Sequence, residues 1–413
     1  MPRYALLILP ATNRVYAEAS VDLLRAELAV FDERALAGRL GEVEQARLGG
    51  VPYLLFTADE LSGRDLAYLS QLSSLYALFE VFGGSDADLR LRPVGLTPLA
   101  VFDDDLLTIQ KYVGKTNEYF TRLLLNVTVL SSDFADSMLD RRLHVFDPLC
   151  GRGTTLNQAL MYGYDATGLE LDGKDVEAYS AFIRTWLKRK RLKHHAEFTP
   201  VRRERALIGR RLHVTLGADK EAYKAGDALS LTVVNGDTTR ARDFFRPRSF
   251  DVVVADAPYG VRHGSQAGGG GREGSGDGAA SDGGEGGDSG GASSGGGGSS
   301  GGSGRKAGGG GRRSEGGRAG RRDARRGTAA GRSSGLSRRP LDLLTAAMPG
   351  WAELLRPGGA VGISWNVHGA SRDAAAQVLA DAGLDVCEGP AYEGFRHRVD
   401  QAIIRDILVA RKP

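Results

Sequence analysis

The sequence predicts an α/β protein whose larger part is built on a mostly parallel sheet. From about residue 111 onwards, short apolar runs typical of buried strands alternate with longer amphipathic runs typical of helices. Several of the apolar runs end in an acidic residue, and a glycine-containing loop or a turn follows. This alternation favours parallel strands covered by helices on both faces, with polar groups collected at one edge of the sheet.

The first 98 residues predict a smaller α/β domain, for which we expect a ferredoxin-like arrangement. Strands are predicted at residues 4–9 (YALLIL) and from Val51 (VPYLLFTA). Helices are predicted from Ser20 (SVDLLRAELAVF) and from Leu66 (LAYLSQLSSLYALFEVF). The prolines of RPVGLTPLA, near residues 93–100, then break the pattern.

Residues 99–263 and 340–413 predict the two parts of the larger domain. A connection leads into a helix from about Asn117, and the elements that follow are, in order, LHVFDPL (strand), TTLNQALMYG (helix), DATGLEL (strand), KDVEAYSAFIRTWLKRKRL (helix), LSLTVVNGD (strand), FDVVVADAP (strand), LDLLTAAMPGWAELL (helix), AVGISWN (strand) and AAAQVLADAG (helix). A last strand pair is predicted near 386–393 and 401–410. A hairpin pairing 211–216 with 229–234 is also predicted.

Residues 264–339 differ from the rest of the chain, because they are rich in Gly, Ser and Arg and contain too few apolar residues to form a core. We predict a disordered insert here. It is either a flexible loop or a basic arm that contacts phosphates without sequence preference.

Composition limits the class of protein. The chain has 413 residues, a net charge of +3 and two distant cysteines, which predict neither a disulfide framework nor a zinc site. The histidines show no metal-ligand spacing, so no metal is expected. No apolar run reaches the length of a membrane span, and we expect a cytoplasmic protein without a membrane partner. No sequence feature indicates an oligomeric state.

The first candidate site is the segment HVFDPLCGRGTTL. A strand ends at Asp147 and Pro148, a loop carries Gly151 and Gly153, and Thr154 is positioned to cap the next helix. In an open α/β sheet the first strand-loop-helix crevice is the expected cofactor site. The loop lacks the Gly-Lys-Ser/Thr of a phosphate loop and the full dinucleotide fingerprint.

Two further acids follow neighbouring strands. Glu170 ends the next strand about twenty residues on, where a carboxylate can bind two ribose hydroxyls. Asp237 follows the next strand and either accepts from an adenine amine or begins a turn. A site for adenosine without a phosphate cradle indicates S-adenosylmethionine as the cofactor.

Three motifs resemble those of class I S-adenosylmethionine-dependent methyltransferases. The segment from Asp147 to Thr154 is similar to their first motif, and Asp256-Ala257-Pro258-Tyr259 resembles the (Asp/Asn)-Pro-Pro-(Tyr/Phe) motif of members that methylate exocyclic amines. KTNEYFTRLLLN resembles the helix that places Phe120 and Thr121 at the methionine end of the cofactor. The longer match APYGVR is similar to tRNA guanine-N2 methyltransferases with an N-terminal RNA-binding region.

The resemblance implies a Rossmann-like methyltransferase sheet of seven strands, parallel apart from a final antiparallel strand. It also implies methyl transfer to an exocyclic base amine, with guanine N2 in tRNA as the leading substrate. Such an amine is a poor nucleophile, and two acceptors aimed at its hydrogens favour the reactive geometry. We expect the Asp256 carboxylate and the Ala257 carbonyl to be these acceptors. Pro258 orients that carbonyl and Tyr259 stacks on a flipped base.

Three other functions stay open. A DNA adenine or cytosine amino-methyltransferase would use the same motif, but no sizeable target-recognition domain is evident. A nucleic-acid-binding module with impaired catalysis is suggested by Ala257, which stands where the family has proline. Methylation of a protein amide usually requires Asn at the position of Asp256. In the basic segments, WLKRKRLKHH is either a solvated helix end or a phosphate contact, and Arg396 and Arg398 are candidate substrate contacts.

Overall fold

Two β-sheets organise this protein. The computed structural model describes residues 1–9, 14–83, 88–258 and 340–413. The predicted insert at 264–339 therefore lies outside the described residues. The described residues before and after this gap belong to one compact unit. The boundary near residue 98 stays a prediction.

The N-terminal sheet is antiparallel, with five described strands in the order β2-β3-β1-β4-β5. Its elements are β1 (Arg3–Ile8), α1 (Arg14–Arg34), β2 (Glu44–Leu48), β3 (Val51–Thr57), α2 (Gly63–Leu69), β4 (Leu75–Phe82) and β5 (Arg90–Val94). The first four strands and the two helices follow the β-α-β-β-α-β order of a ferredoxin-like fold, as predicted.

The helix predicted over residues 66–82 is wrong in its second half. The helix ends at Leu69, Ser70 caps it, and β4 begins at Leu75 and pairs with β1. Apolar residues in this stretch line both faces of the sheet, which gave the segment a false helical pattern. Between the two elements, the backbone N–H and the hydroxyl of Ser73 both donate to Glu27, and these bonds fix the turn.

The second sheet contains the predicted cofactor motifs. Its elements are α3 (Asp105–Thr108), α4 (Glu118–Leu130), β6 (His144–Asp147), α5 (Thr154–Met161), β7 (Asp165–Glu170), α6 (Gly173–Arg189), β8 (His194–Arg203), β9 (Ala206–Gly217), α7 (Lys220–Lys224), β10 (Ala228–Asn235), β11 (Phe250–Asp256), α8 (Pro340–Leu354), β12 (Leu355–Asn366), α9 (Arg372–Asp381), β13 (Asp385–Val386), β14 (His397–Arg398) and β15 (Ile404–Arg411). Short 3-10 turns lie at 135–137, 238–243 and 390–392.

Seven strands of this sheet have the predicted arrangement. β10, β7, β6, β11 and β12 are mutually parallel neighbours, and β15 is antiparallel to β12. β13 is antiparallel to β15 and therefore runs in the common direction. The predicted α/β class is confirmed. With β8, β9 and β14, the sheet has ten strands within the described residues.

The predicted hairpin is present. β9 pairs with β10 from Arg211 opposite Val234 to Leu216 opposite Leu229, and β8, which was not predicted, adds an outer strand. The strand predicted at 386–393 is mostly wrong. The observed strand, β13, covers only Asp385 and Val386. It is short because Gly389, with φ +118°, and Pro390 turn the chain into a 3-10 helix.

A buried polar network joins the N-terminal sheet to the larger one. The Glu27 carboxylate on α1 is fully buried and accepts from Ser73 and from the Asn126 amide on α4. The Tyr162 hydroxyl, at the end of α5, donates to the Asn126 side-chain oxygen Oδ1 at 2.7 Å and accepts from the Arg122 guanidinium at 2.9 Å. Burial raises the pKa of Glu27, while the donors around it oppose that rise. These bonds hold α1 firmly against the helix that precedes the cofactor loop.

Candidate active site

The glycine loop forms the first part of the candidate site. β6 ends at Asp147, Pro148 is buried, and α5 begins at Thr154. Gly151 and Gly153 both have left-handed backbone angles, with φ +48° and +80°. The prediction that Thr154 caps the helix is wrong. Gly153 occupies the cap position because the chain enters α5 through its left-handed conformation, and Thr154 is already helical.

The two glycines have different surroundings. A Cβ on Gly153 would lie 2.4 Å from the ring of Tyr179, which is fully buried. A Cβ on Gly151 would meet no atom of the described residues within 4 Å. Gly153 is therefore required for packing of the loop against α6, whereas Gly151 leaves space beside the loop. That open space beside backbone N–H groups fits a cofactor that approaches the main chain closely.

Asp147 is a buried acid at the carboxyl end of β6. Its Oδ1 accepts from the Leu149 N–H at 3.0 Å, and the Thr155 hydroxyl also bonds to the carboxyl group. Burial, together with the negative charges of Asp256 and Glu170, raises the pKa of Asp147 to about 7. The three acids therefore lie within electrostatic reach of one another at one edge of the sheet.

Glu170 lies at the end of β7, where the sequence predicted it. One carboxylate oxygen accepts from the Gly151 N–H at 2.9 Å and the other from the Asp172 N–H at 2.8 Å. The carboxylate is thereby held against the glycine loop, and its burial raises its pKa. A carboxylate oxygen has two lone pairs, so each can accept a further hydroxyl. This fits the predicted ribose-binding role.

Asp237 begins a turn after β10. Its Oδ1 accepts from the backbone N–H of Thr239 at 2.9 Å and from the Thr239 hydroxyl at 2.8 Å. Of the two roles predicted for Asp237, the start of a turn is therefore observed, and the contact with adenine stays a prediction. Asn235 ties the end of β10 to β7 through two bonds to the backbone carbonyls of Glu170 and Leu171.

Phe120 and Thr121 lie in the first turn of α4, which begins directly after Asn117 as predicted. The Asn117 side chain caps the helix by accepting from two backbone N–H groups, and the Thr121 hydroxyl donates back to the Asn117 carbonyl at 3.1 Å. Phe120 is fully buried. The Arg405 guanidinium lies 4.1 Å from the centroid of the Phe120 ring. Phe120 thus links α4 to the surroundings of Asp256.

Asp256 ends β11, and donors from three separate segments converge on its carboxylate. The Thr116 hydroxyl donates at 2.7 Å, the Ser364 hydroxyl at the end of β12 donates to the other oxygen, and Arg405 on β15 forms an ion pair at 3.7 Å. The Arg405 side chain is 6% exposed and that of Asp256 is 17% exposed. The acid is therefore fixed in orientation and only partly covered.

The rest of this motif is described only in part. Ala257 is buried, its N–H donates to the Ser364 carbonyl at 2.9 Å, and Pro258 is exposed. Tyr259 lies outside the described residues, so its stacking role stays a prediction. The structure brings Asp147, Glu170 and Asp256 to one edge of the sheet.

Sequence reasoning missed Thr116, Ser364 and Arg405. Thr116 immediately precedes the predicted helix, and Ser364 lies in the predicted strand AVGISWN, but neither type of residue is distinctive on its own. The predicted contacts Arg396 and Arg398 are both exposed. In the same segment, Arg405 instead is the arginine that reaches Asp256, because β15 places it beside the end of β11. Cys150 is buried and packs against Gly168, which is consistent with a packing role.

Comparisons with known proteins agree with this fold. Residues 130–269 match the UPF0020 family, described as an RMKL-like methyltransferase domain. No curated protein sequence is significantly similar to the chain. No helix among the described residues is long and apolar enough to cross a membrane.

Two solved structures illustrate the similarity. A TehB-like SAM-dependent methyltransferase from Corynebacterium glutamicum is 11% identical, with a TM-score of 0.28, over 68% of this chain and 85% of its own. The 16S rRNA N2 methyltransferase RsmC of T. thermophilus, solved with AdoMet and guanosine, is 12% identical, with a TM-score of 0.32, over 91% of this chain and 51% of its own. At these values neither structure assigns a substrate.

The family match includes both the glycine loop and Asp256. The part of the chain that carries β6, the glycine loop, Glu170 and the end of β11 is therefore similar to an S-adenosylmethionine-dependent methyltransferase domain.

Proposed function

We propose that this protein methylates an exocyclic amine of a nucleic-acid base, and that the base is guanine, methylated at N2, in tRNA. The observation that carries the proposal is the fixed carboxylate of Asp256 at the carboxyl edge of the sheet, with the Ala257 carbonyl next in the chain. Ser364 binds both residues, through its hydroxyl and its carbonyl. Two acceptors held in this way suit the two hydrogens of an amine.

S-adenosylmethionine supplies the activated methyl group. In our proposal, Gly151 and Glu170 hold its ribose side and Phe120 borders its methionine side. Asp256 accepts a hydrogen bond from the amine. This bond localises the lone pair on nitrogen, and the carboxylate stabilises the positive charge that develops there. Pro258 biases Ala257 towards an extended conformation and so orients the second acceptor. A base in a paired region must be flipped out to reach these groups.

RNA is the proposed substrate on the basis of the APYGVR resemblance and of the N-terminal domain, which we propose as an RNA-binding region. The buried network around Glu27 would then hold that region at a fixed distance from Asp256. In such an arrangement the N-terminal sheet selects the RNA by its shape, and the pocket beside Asp256 selects the base.

The experiment is transfer of labelled methyl from S-adenosylmethionine into purified tRNA, ribosomal RNA and DNA, followed by nucleoside mass analysis. Asp256→Ala removes the carboxylate and with it the side-chain acceptor, whereas Asn, the other residue of the family motif, would keep one acceptor oxygen. We expect Asp256→Ala to bind S-adenosylmethionine normally and to lose transfer by about a hundredfold to a thousandfold. N2-methylguanosine in tRNA supports the proposal. Label only in DNA supports the DNA rival, and cofactor binding without any transfer supports the impaired binding module.

A further inference from the structure

One buried histidine beside the candidate site has an unsatisfied nitrogen. His397 lies on β14 directly opposite Arg405 in the strand pairing, and it is 7% exposed. Its Nδ1 is 2.9 Å from the Phe395 carbonyl oxygen, whereas its Nε2 has no hydrogen-bond partner among the residues that the structure describes. A buried polar atom without a partner carries a free-energy cost, and such atoms are rare unless a ligand satisfies them.

The bond to Phe395 determines the chemistry of the free nitrogen. A carbonyl oxygen only accepts, so Nδ1 must carry the proton and donate it. Burial, with a smaller contribution from the charge of Arg405, lowers the pKa of His397 to about 4. The ring is therefore neutral at physiological pH. In a neutral imidazole protonated at Nδ1, Nε2 is an acceptor.

The position of the ring places this acceptor near Asp256. The His397 and Phe120 rings are 5.3 Å apart between centroids, and the Arg405 guanidinium covers the same Phe120 ring. Arg405 in turn pairs with Asp256, and the Asp256 charge acts on His397. His397 and Asp256 therefore both lie around the Phe120–Arg405 pair, within electrostatic reach of each other.

We propose that His397 Nε2 accepts the ring N1–H of a guanine whose N2 amine lies at Asp256, and that His397 thereby selects guanine among bases with an exocyclic amine. Guanine alone among the common bases has a ring N–H next to its amine. In adenine and cytosine, the ring nitrogen beside the amine is an acceptor, which Nε2 would repel. The inference rests on the proposed function and adds the group that distinguishes the base.

The test compares two forms of the tRNA, with guanine or with 2-aminopurine at the methylated position. 2-Aminopurine keeps the C2 amine but lacks the N1–H. We expect wild-type protein to favour guanine in kcat/KM, and His397→Phe, which keeps an aromatic ring against Phe120, to reduce this preference by about tenfold or more. His397→Gln, which places an amide oxygen near the position of Nε2, should restore most of it. Glu393→Gln, at an exposed position in the same segment, is the matched control.

The outcomes separate the two ideas. If wild-type protein methylates adenine or cytosine, or no base at all, both the proposed function and this inference are wrong. If guanine is methylated but His397→Phe lowers transfer to both RNAs by the same factor, the proposed function stands. His397 then has only a structural role, and the inference is overturned.

Discussion

Replacement of each loop glycine by alanine should change a different property: mainly the stability of the protein for Gly153 and mainly cofactor binding for Gly151. Gly153→Ala places a methyl group in a left-handed residue, which costs about 1–2 kcal/mol. It also places that group 2.4 Å from the buried Tyr179 ring. Tyr179 cannot move easily, because its hydroxyl donates to the Asn157 carbonyl at 2.9 Å, and such overpacking adds about 1–3 kcal/mol. Gly151→Ala carries the backbone cost alone, because in the part of the chain that the structure describes its Cβ meets no atom within 4 Å.

We therefore expect Gly153→Ala to be less stable than Gly151→Ala by about 1–3 kcal/mol, or roughly 2 to 12 °C in melting temperature. In contrast, Gly151→Ala should weaken S-adenosylmethionine binding by about tenfold, since its methyl group fills the space beside the loop. Thermal unfolding without cofactor measures the first effect and titration calorimetry the second. Equal melting temperatures would refute the packing argument, and unchanged cofactor affinity in Gly151→Ala would refute our placement of the cofactor.

Three further changes test other parts of the structure. Asp147→Asn removes an acid whose raised pKa makes ionisation costly in the folded state. The stability that the neutral wild-type acid contributes is complete below its unfolded-state pKa near 4, and it is lost as pH rises to the folded-state pKa of about 7. The variant should therefore gain stability relative to wild type by up to about 1.4 kcal/mol per pH unit across this range in urea unfolding, and a pH-independent difference would contradict the assignment. Glu27→Gln replaces one acceptor oxygen by an NH₂ group that faces donors, including Ser73, so a loss of about 1–3 kcal/mol in unfolding free energy is expected. A variant as stable as wild type would show that the network adapts. Ala257→Pro, which restores the family residue, removes the N–H that donates to Ser364 and should lower both melting temperature and methyl transfer, whereas increased transfer would show that alanine is a defect.

The sequence was sufficient to predict that three acids lie at one edge of the larger sheet. Asp147, Glu170 and Asp256 each end an apolar run, and parallel strands bring their carboxyl ends to one edge. The helix from Asn117 was likewise predictable, because a capping side chain precedes an amphipathic run. Each of these features, a strand with its terminal acid or a helix with its cap, is encoded by residues that are close together in the chain.

The surroundings of Asp256 were not predictable in the same way. Thr116, Ser364 and Arg405 reach it from a loop and two other strands, so their roles depend on strand order and register. Local patterns also failed for β4, where residues buried on both faces of a sheet imitate a helix. In both cases tertiary pairing decided the outcome, and periodicity carries no information about such pairing.

Ala257 departs from the family motif, yet the structure provides another means of orienting the second acceptor. Ser364 is paired with Asp256 between β11 and β12, and it uses two different groups: its hydroxyl donates to the Asp256 carboxylate, and its carbonyl accepts the Ala257 N–H. A proline at 257 has no N–H and would lose the second bond. In this chain, a hydrogen bond to β12 therefore takes the place of the rigidity that a proline ring supplies. Since the bond holds the peptide on the N-terminal side of Ala257 and Pro258 restricts the other side, both ends of the acceptor residue are constrained, which favours a working site over an impaired one.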